Sequence, residues 1–276
     1  MQIQHIVSQE ATKTTPVQVW SEGKINASKD SLVSEAAIEI VVEIDSVQKK
    51  LGILLRTPGD DAELVTGWLL GEAIIQSNSS ILEIESSPER IVVTMDSDNF
   101  SLSDFQEREF PITSSCGLCG RETLDGLIIP SRLTISDERW VSPTVLVELP
   151  SLLTDSQDHF KTTGGLHACA LFDHSGNLIS VREDVGRHNA LDKLIGSRLM
   201  ADSLPAEKQI LMLSGRIGYE LIQKAALAGI PAIAGLGAPS SMAVDAARSA
   251  GLTLIGFLKP TRFNVYTGGW RVIGTE

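Results

Sequence analysis

The stretch QILMLSGRIGYELIQKAALAGIPAIAGLGAPSSMAVDAARSAGLTLIGFLK, residues 209–259, decides the fold. Short apolar runs at 209–213, 231–234 and 252–258 alternate with helix-length segments at 217–228 and 240–250, the pattern of parallel strands joined by crossover helices. Gly229 and Gly251 stand where a left-handed residue closes a helix. Working upstream, a helix is expected over Thr144–Phe160, strands over Ala168–Asp173 and Leu178–Glu183 around the turn His174-Ser175-Gly176-Asn177, and a helix over Asn189–Met200. Residues 144–276 therefore read as a three-layer α/β domain.

Residues 1–143 read as a small α+β domain. The first thirty are polar, lack sustained periodicity and are expected to form an extended lead-in. Partial alternation over Glu35–Arg56 predicts a hairpin turning at Asp45-Ser46. Asp60 or Asp61 can cap a helix over Asp61–Gln76, and strands follow at Ile81–Ser86 and Arg90–Asp96.

At 276 residues and 42% hydrophobic, the chain can bury a sizeable core in two modest domains. A net charge of −12 disfavours nonspecific nucleic-acid binding, so an anionic ligand must meet a local basic pocket. No run approaches the roughly 18 apolar residues that span a bilayer, so no membrane partner is expected. Three cysteines and no apolar leader predict a reducing, cytoplasmic setting.

Chemistry concentrates in Ser114-Ser115-Cys116-Gly117-Leu118-Cys119-Gly120-Arg121. A two-residue spacing suits a redox dithiol, half a zinc site or a loop carrying sulfur as a persulfide. Zinc would need Cys169 and His167 as well, a badly spaced set whose strand position suits a packed cysteine. Gly117 and Gly120 disfavour a helix at the pair and favour a mobile loop, which suits sulfur carriage better than a fixed dithiol.

Four strand-helix or strand-end junctions can hold an anion. Ser214-Gly215-Arg216 and Gly235-Leu-Gly-Ala-Pro-Ser-Ser241 would aim backbone N–H groups at it, although neither is a phosphate loop. Phe257-Leu258-Lys259-Pro260-Thr261-Arg262 places two cations at a strand's carboxyl end, the usual ligand crevice of open α/β sheets. Arg182-Glu-Asp-Val-Gly-Arg-His-Asn189 is the densest charged run; its simpler reading is a loop in which Asp184 and Arg187 neutralise one another. Arg182, Arg187, His188, Arg216, Lys259 and Arg262 are expected to converge at one end of the sheet.

Taken in order, Thr57-Pro-Gly-Asp, Cys116-Gly-Leu-Cys-Gly, Thr163-Gly-Gly-Leu-His-Ala, Arg182-Glu-Asp-Val-Gly-Arg-His-Asn-Ala-Leu-Asp-Lys193, Ser214-Gly-Arg and Gly256-Phe-Leu-Lys-Pro-Thr-Arg-Phe-Asn-Val-Tyr-Thr267 resemble the FdhD family over about 34–267. The resemblance implies a sulfur carrier, a sulfurtransferase required for formate dehydrogenase activity. It would accept persulfide sulfur from a cysteine desulfurase and pass it to the molybdenum cofactor in its bis(molybdopterin guanine dinucleotide) form. Cys116 matches the persulfide-bearing cysteine, Cys119 its partner, and Phe257, Leu258, Lys259, Pro260, Thr261 and Arg262 the cofactor-binding segment, joined by Ser214 and Arg216. Leu258 and Thr261 depart from the commonest family pattern and leave the cation pair intact. A homodimer, formate dehydrogenase as acceptor and no structural metal are expected. The second domain would resemble the cytidine deaminase fold, yet His188-Asn189-Ala190 and Ser214-Gly215-Arg216 lack the catalytic glutamate and cysteine ligands of zinc deaminases. The alternative is a zinc-stabilised or redox-sensing nucleotide-binding module.

Overall fold

A computed structural model describes residues 1–5, 9–98, 100 and 138–274. Cys116, Cys119 and Arg121 lie outside the described residues. The fold is mixed α/β, and two sheets carry most of it.

The first sheet comprises β1 (Gln2–His5), β4 (Ala36–Ile44), β5 (Val47–Arg56), β6 (Ile81–Ser86) and β7 (Arg90–Met95), in the order β1-β6-β7-β4-β5. β4 and β5 form the expected hairpin, and Asp45 and Ser46 take φ of 51° and 64°, the mirror-image turn whose twist matches the strands. In β4, Ile38, Ile40, Val42 and Ile44 point into the core while Glu39 and Glu43 point away.

Between β1 and β4, the expected extended lead-in is in fact a ribbon of β2 (Thr12–Ser21) and β3 (Lys24–Val33), paired along its whole length. Nearly every residue of it is exposed, so no buried face imposed a period on the sequence. Its base touches α3 (Asp158–Thr163).

α1 (Asp61–Gly71) is apolar on almost all sides, as a helix enclosed by other elements must be. It packs against the first sheet on one side and α4 (Arg187–Met200) on the other. Gly67 and Gly196 make this crossing possible: a Cβ on Gly67 would sit 1.9 Å from Asp192 O, and one on Gly196 1.8 Å from Glu63 O. α1 stops at Gly71 rather than Gln76 because Ala73 turns left-handed (φ 54°) and Ile74 N–H closes onto Leu69 O at 2.9 Å.

The second sheet contains β8 (His167–Asp173), β9 (Leu178–Asp184), β10 (Gln209–Leu213), β11 (Ala232–Gly235), β12 (Thr253–Lys259) and β13 (Arg262–Thr267), ordered β13-β12-β11-β10-β8-β9. β10, β11 and β12 run parallel, while β8, β9 and β13 join in antiparallel pairs. α4, α5 (Tyr219–Leu227) and α6 (Ser241–Ser249) cover one face, and α2 (Pro143–Asp155) covers the other with Leu146, Leu149 and Leu153. Alternate residues of each strand divide between the two cores: Ile210 and Met212 meet α2's side, Leu211 and Leu213 the other. One apolar cluster runs from Ile38 through α1, α4 and α5 to Leu254, so residues on both sides of position 143 share a core.

The single helix expected over Thr144–Phe160 is two. Ser156 donates its hydroxyl back to Leu152 O at 2.7 Å, and α3 restarts with its first N–H groups held by the Glu183 carboxylate, which accepts from His159 N at 3.0 Å and Phe160 N at 2.9 Å. α5 begins at Tyr219, not Ile217, because Ile217 bridges to Pro239 instead. Among the described residues, no helix is long and apolar enough to cross a membrane.

Candidate functional site

β8 runs against β10, so the amino end of β8 lies beside the carboxyl ends of β9, β10, β11 and β12. Four junctions therefore meet at one edge of the second sheet, and backbone hydrogen bonds continue the sheet order beyond the strands. Ser214 N–H donates to Ala168 O (3.0 Å) and Ala168 N–H to Ser214 Oγ (2.9 Å). Gly237 N–H donates to Gly215 O (3.1 Å), Ile217 N–H to Ala238 O (3.0 Å) and Phe257 N–H to Gly237 O (3.1 Å). A Cβ at Gly237 would sit 2.9 Å from Arg216 N and Gly215 O, so only glycine lets these loops lie side by side. The Ser214 side chain is thereby spent on β8, whereas Arg216 is exposed.

The Phe257–Arg262 segment is the end of β12, the turn Pro260-Thr261 and the first residue of β13. Lys259 pairs with Arg262 in the ladder, bringing the two cations together. Leu258 is fully buried; Phe257, Lys259, Pro260, Thr261 and Arg262 are exposed. Phe257 takes φ of 52°, a conformation costing a bulky residue about 1–3 kcal/mol. β13, which the sequence reading did not mark, is visible as Phe263 and Val265 facing α2 between Arg262, Asn264 and Tyr266.

The charged run after β9 divides in two. Asp184 does not neutralise Arg187: fully buried, it accepts from Lys193 Nζ (2.8 Å), Thr57 N (3.0 Å), Gly186 N (2.9 Å) and Asn189 Nδ2 (3.1 Å). Lys193 Nζ also donates to Thr57 O at 2.8 Å. Arg182 is held by Glu63, with Nη2 to Oε1 at 2.7 Å, and lies 3.7 Å from Asp60, so it is engaged at the α1 joint. Arg187 and His188 open α4 instead. Arg187 Nε is buried with no hydrogen-bond partner among the described residues, and His188 Nε2 lies 3.0 Å from Glu220 Oε2. Among the described residues, Arg187, Arg216, Lys259 and Arg262 form no ion pair.

His167, half-buried beside Gly215, has its pKa held below the ordinary histidine value, first by burial and then by Arg187 and His188. It stands neutral at pH 7, a donor and acceptor without charge. Cys169 is buried in the main apolar core; burial, reinforced by Asp192 and Asp184, pushes its thiol far up. Such a thiol is a poor nucleophile and a poor zinc ligand. Among the described residues, no group of three or more His, Cys, Asp or Glu could hold a metal ion.

This end of the sheet can bind an anion chemically: guanidinium and ammonium groups without ion pairs among the described residues, a tight loop cradle at Gly237, and the amino end of α6, where Ser240 Oγ caps Ala243 N–H. The protein is acidic overall, with a net charge of −12.

Comparison with known proteins follows the same outline. The model of the FdhD/NarQ family matches residues 33–273. A protein named sulfur carrier protein FdhD from Streptomyces avermitilis is 42% identical over 263 residues, covering 91% of this chain and 92% of that protein. One of the same name from Sulfolobus acidocaldarius is 44% identical over 252 residues, covering 91% and 94%. A crystal structure of a proposed formate dehydrogenase accessory protein from Desulfotalea psychrophila superposes with a TM-score of 0.76 over 96% of this chain and all of that one, at 23% identity, a likeness of fold.

Proposed function

Because the chain belongs to the FdhD/NarQ family, we propose that it is a sulfur carrier whose Cys116 takes sulfur as a persulfide and delivers it to the bis(molybdopterin guanine dinucleotide) form of the molybdenum cofactor. The cofactor is the substrate here. The observation that carries the reading is the set of cations Arg187, Arg216, Lys259 and Arg262, without ion pairs among the described residues, at one end of the second sheet of an acidic protein, an arrangement that favours phosphates. Lys259 and Arg262 would hold the dinucleotide phosphates, and the loops at Gly215 and Gly237 would approach them closely.

The first step is an exchange between thiols. A Cys116 thiolate, with Arg121 nearby in sequence to favour it, attacks the terminal sulfur of the donor persulfide; a new S–S bond forms as the old one breaks, and the donor leaves as thiolate. No electrons are gained or lost overall. Cys119 can then release the sulfur as sulfide by forming a disulfide with Cys116, which a cellular thiol reduces before the next cycle. Neither step needs a general base, because each attacking group is a thiolate and the leaving groups, a thiolate in the first step and hydrosulfide in the second, are stable anions.

A cysteine desulfurase as donor, formate dehydrogenase as acceptor, a homodimeric assembly and a cytoplasmic location belong to the same reading. So does the division into units 1–143 and 144–276, the second with a cytidine-deaminase-like arrangement that the helix-covered six-stranded sheet supports. The deep burial of Cys169 counts against the zinc-stabilised alternative.

The test is intact mass after incubation with a cysteine desulfurase and cysteine. Wild type is expected to gain one sulfur atom and Cys116→Ala none. No gain on wild type overturns the proposal, and loss confined to Cys119→Ala transfers the carrier role to that residue.

A further inference from the structure

We infer that the outer edge of β3 pairs with its own counterpart on a second copy of the chain, antiparallel about a two-fold axis at Ala27, so that two ribbons join into one four-stranded sheet. This gives the homodimer proposed above an interface, and it stands independently of the sulfur chemistry. The first argument is which edge is open, and over what length. β2 contains Pro16, which has no N–H to donate, and a strand tolerates proline where the missing donor faces an unpaired edge. β3 has no proline, so its outer row of N–H and C=O groups is complete, and among the described residues it pairs only with β2. At the ribbon's base Ser31 and Val33 are half-buried where α3 approaches, and a Cβ on Gly165 would sit 3.3 Å from Val33 Cγ1. Residues 24–30 are all exposed. An antiparallel copy uses the whole of that run when 24 pairs with 30, which puts its midpoint, Ala27, on the axis.

The second argument is charge. Within the ribbon Lys24 faces Ser21 and Asp30 faces Thr15, so neither meets an opposite charge across the strands. In the register centred on Ala27, Lys24 faces Asp30 of the second copy, and symmetry makes that contact twice. Neighbouring registers lose it. A slip of one residue toward the turn sets Lys24 against Lys29, and a slip of two sets Asp30 against Glu22; a slip of two the other way sets Lys24 against Leu32. The sequence of this edge is self-complementary in one register.

The third argument is what the pairing covers. Trp20 and Ile25 face one another across the ribbon, and Pro16 faces Lys29. The same register brings Ile25 opposite Lys29 of the second copy, forming a row of Trp20, Ile25, Lys29 and Pro16 across the four strands, repeated by symmetry. The aliphatic stem of Lys29 then lies against Ile25 while its ammonium stays in water. An exposed apolar pair is thereby given a neighbour. The two outermost strands are both β2, where Pro16 breaks the donor row, so the assembly closes at two copies instead of growing.

The experiment is sedimentation velocity of the full chain over a concentration series, on wild type, Lys24→Glu, Asp30→Lys and the double variant. Wild type is expected to dimerise. Each single variant opposes like charges at two places and is expected to weaken the dimer about tenfold; the double variant, which reverses both pairs, is expected to restore it. A second measurement does not depend on charge: Ala27→Cys, in a Cys116→Ala, Cys119→Ala background, is expected to cross-link to itself under mild oxidation, because residues facing one another on the axis lie within disulfide reach. A monomeric wild type overturns the inference and the homodimer together. Single variants that dimerise as wild type does overturn this interface and leave a dimer through another face. A double variant no tighter than the single ones overturns the register, and Ala27→Cys that stays monomeric after oxidation overturns the axis.

Discussion

The α1–α4 joint and the loop edge of the second sheet use the same kinds of residue in opposite ways. At the joint, Arg56 meets Asp61 at 2.8 Å, Arg182 meets Glu63 and Lys193 meets Asp184 at 2.8 Å, and the last pair is almost wholly buried. At the edge, Arg187, Arg216, Lys259 and Arg262 form no ion pair among the described residues. A buried charge that lacks a partner is costly, so the joint's pairs serve the fold. A cation that reaches water, as Arg216, Lys259 and Arg262 do, costs little alone and is available to something outside the chain. Charge that is neutralised internally marks architecture, and charge that is not marks an address for a ligand.

Breaking the joint should give the largest effect. Lys193→Met leaves Asp184 buried without its cation and is expected to cost about 3–5 kcal/mol, read as a lowered denaturant midpoint. If that loss is under about 1 kcal/mol, the hydrogen bonds from Thr57, Gly186 and Asn189 are enough to hold the carboxylate, and the joint does not depend on the Lys193 charge. Glu63→Gln removes the anion facing Arg182; with side chains 25% and 21% exposed, water offsets part of the loss, and about 1 kcal/mol is expected by the same measurement.

The edge should respond the other way. Lys259→Ala with Arg262→Ala is expected to change stability by no more than about 0.5 kcal/mol while weakening pyrophosphate binding about tenfold or more, in a salt-dependent manner. Loss of folding in this variant would mean that the hairpin belongs to the architecture after all.

The smallest expected effect lies at His167, where the two kinds of region meet. Its ordinary pKa is 6.5 and the fold holds it lower, so in the window just below that value the unfolded chain takes up a proton that the folded chain refuses. Stability is complete above the window and falls as pH drops through it. Denaturation midpoints at about pH 7.5 and about pH 5.5 should show this slope in wild type and lose part of it in His167→Gln.

What could be read from the sequence follows from burial. β10, α6 and β12 came out within a residue or so, because each pairs an apolar run or face with a turn or a capping residue. The β2–β3 ribbon is not legible because Trp20 and Ile25, 70% and 65% exposed, bury too little to impose a pattern on their neighbours. Of the candidate site, the cation pair Lys259 and Arg262 was legible as a strand end, and the hairpin brings the two together. That Arg182 belongs to Glu63, 119 positions away, or Asp184 to Thr57, is a fact of the folded joint that no local window contains. Phe257's left-handed backbone was equally hidden, since the one-letter code carries no φ.

The ribbon raises a separate matter of colloidal behaviour. Two strands of ten residues each, which among the described residues pair only with one another, present two open edges and an apolar Trp20–Ile25 pair, the features by which sheets recruit further chains and precipitate. Its own residues oppose that: Pro16 interrupts the donor row of one edge, and Lys13, Lys24, Lys29, Glu22 and Asp30 place charge along both strands and their turn. The ribbon can therefore project from an otherwise well-packed molecule only while those guards are kept, and its surface tolerates substitution far less freely than its exposure suggests.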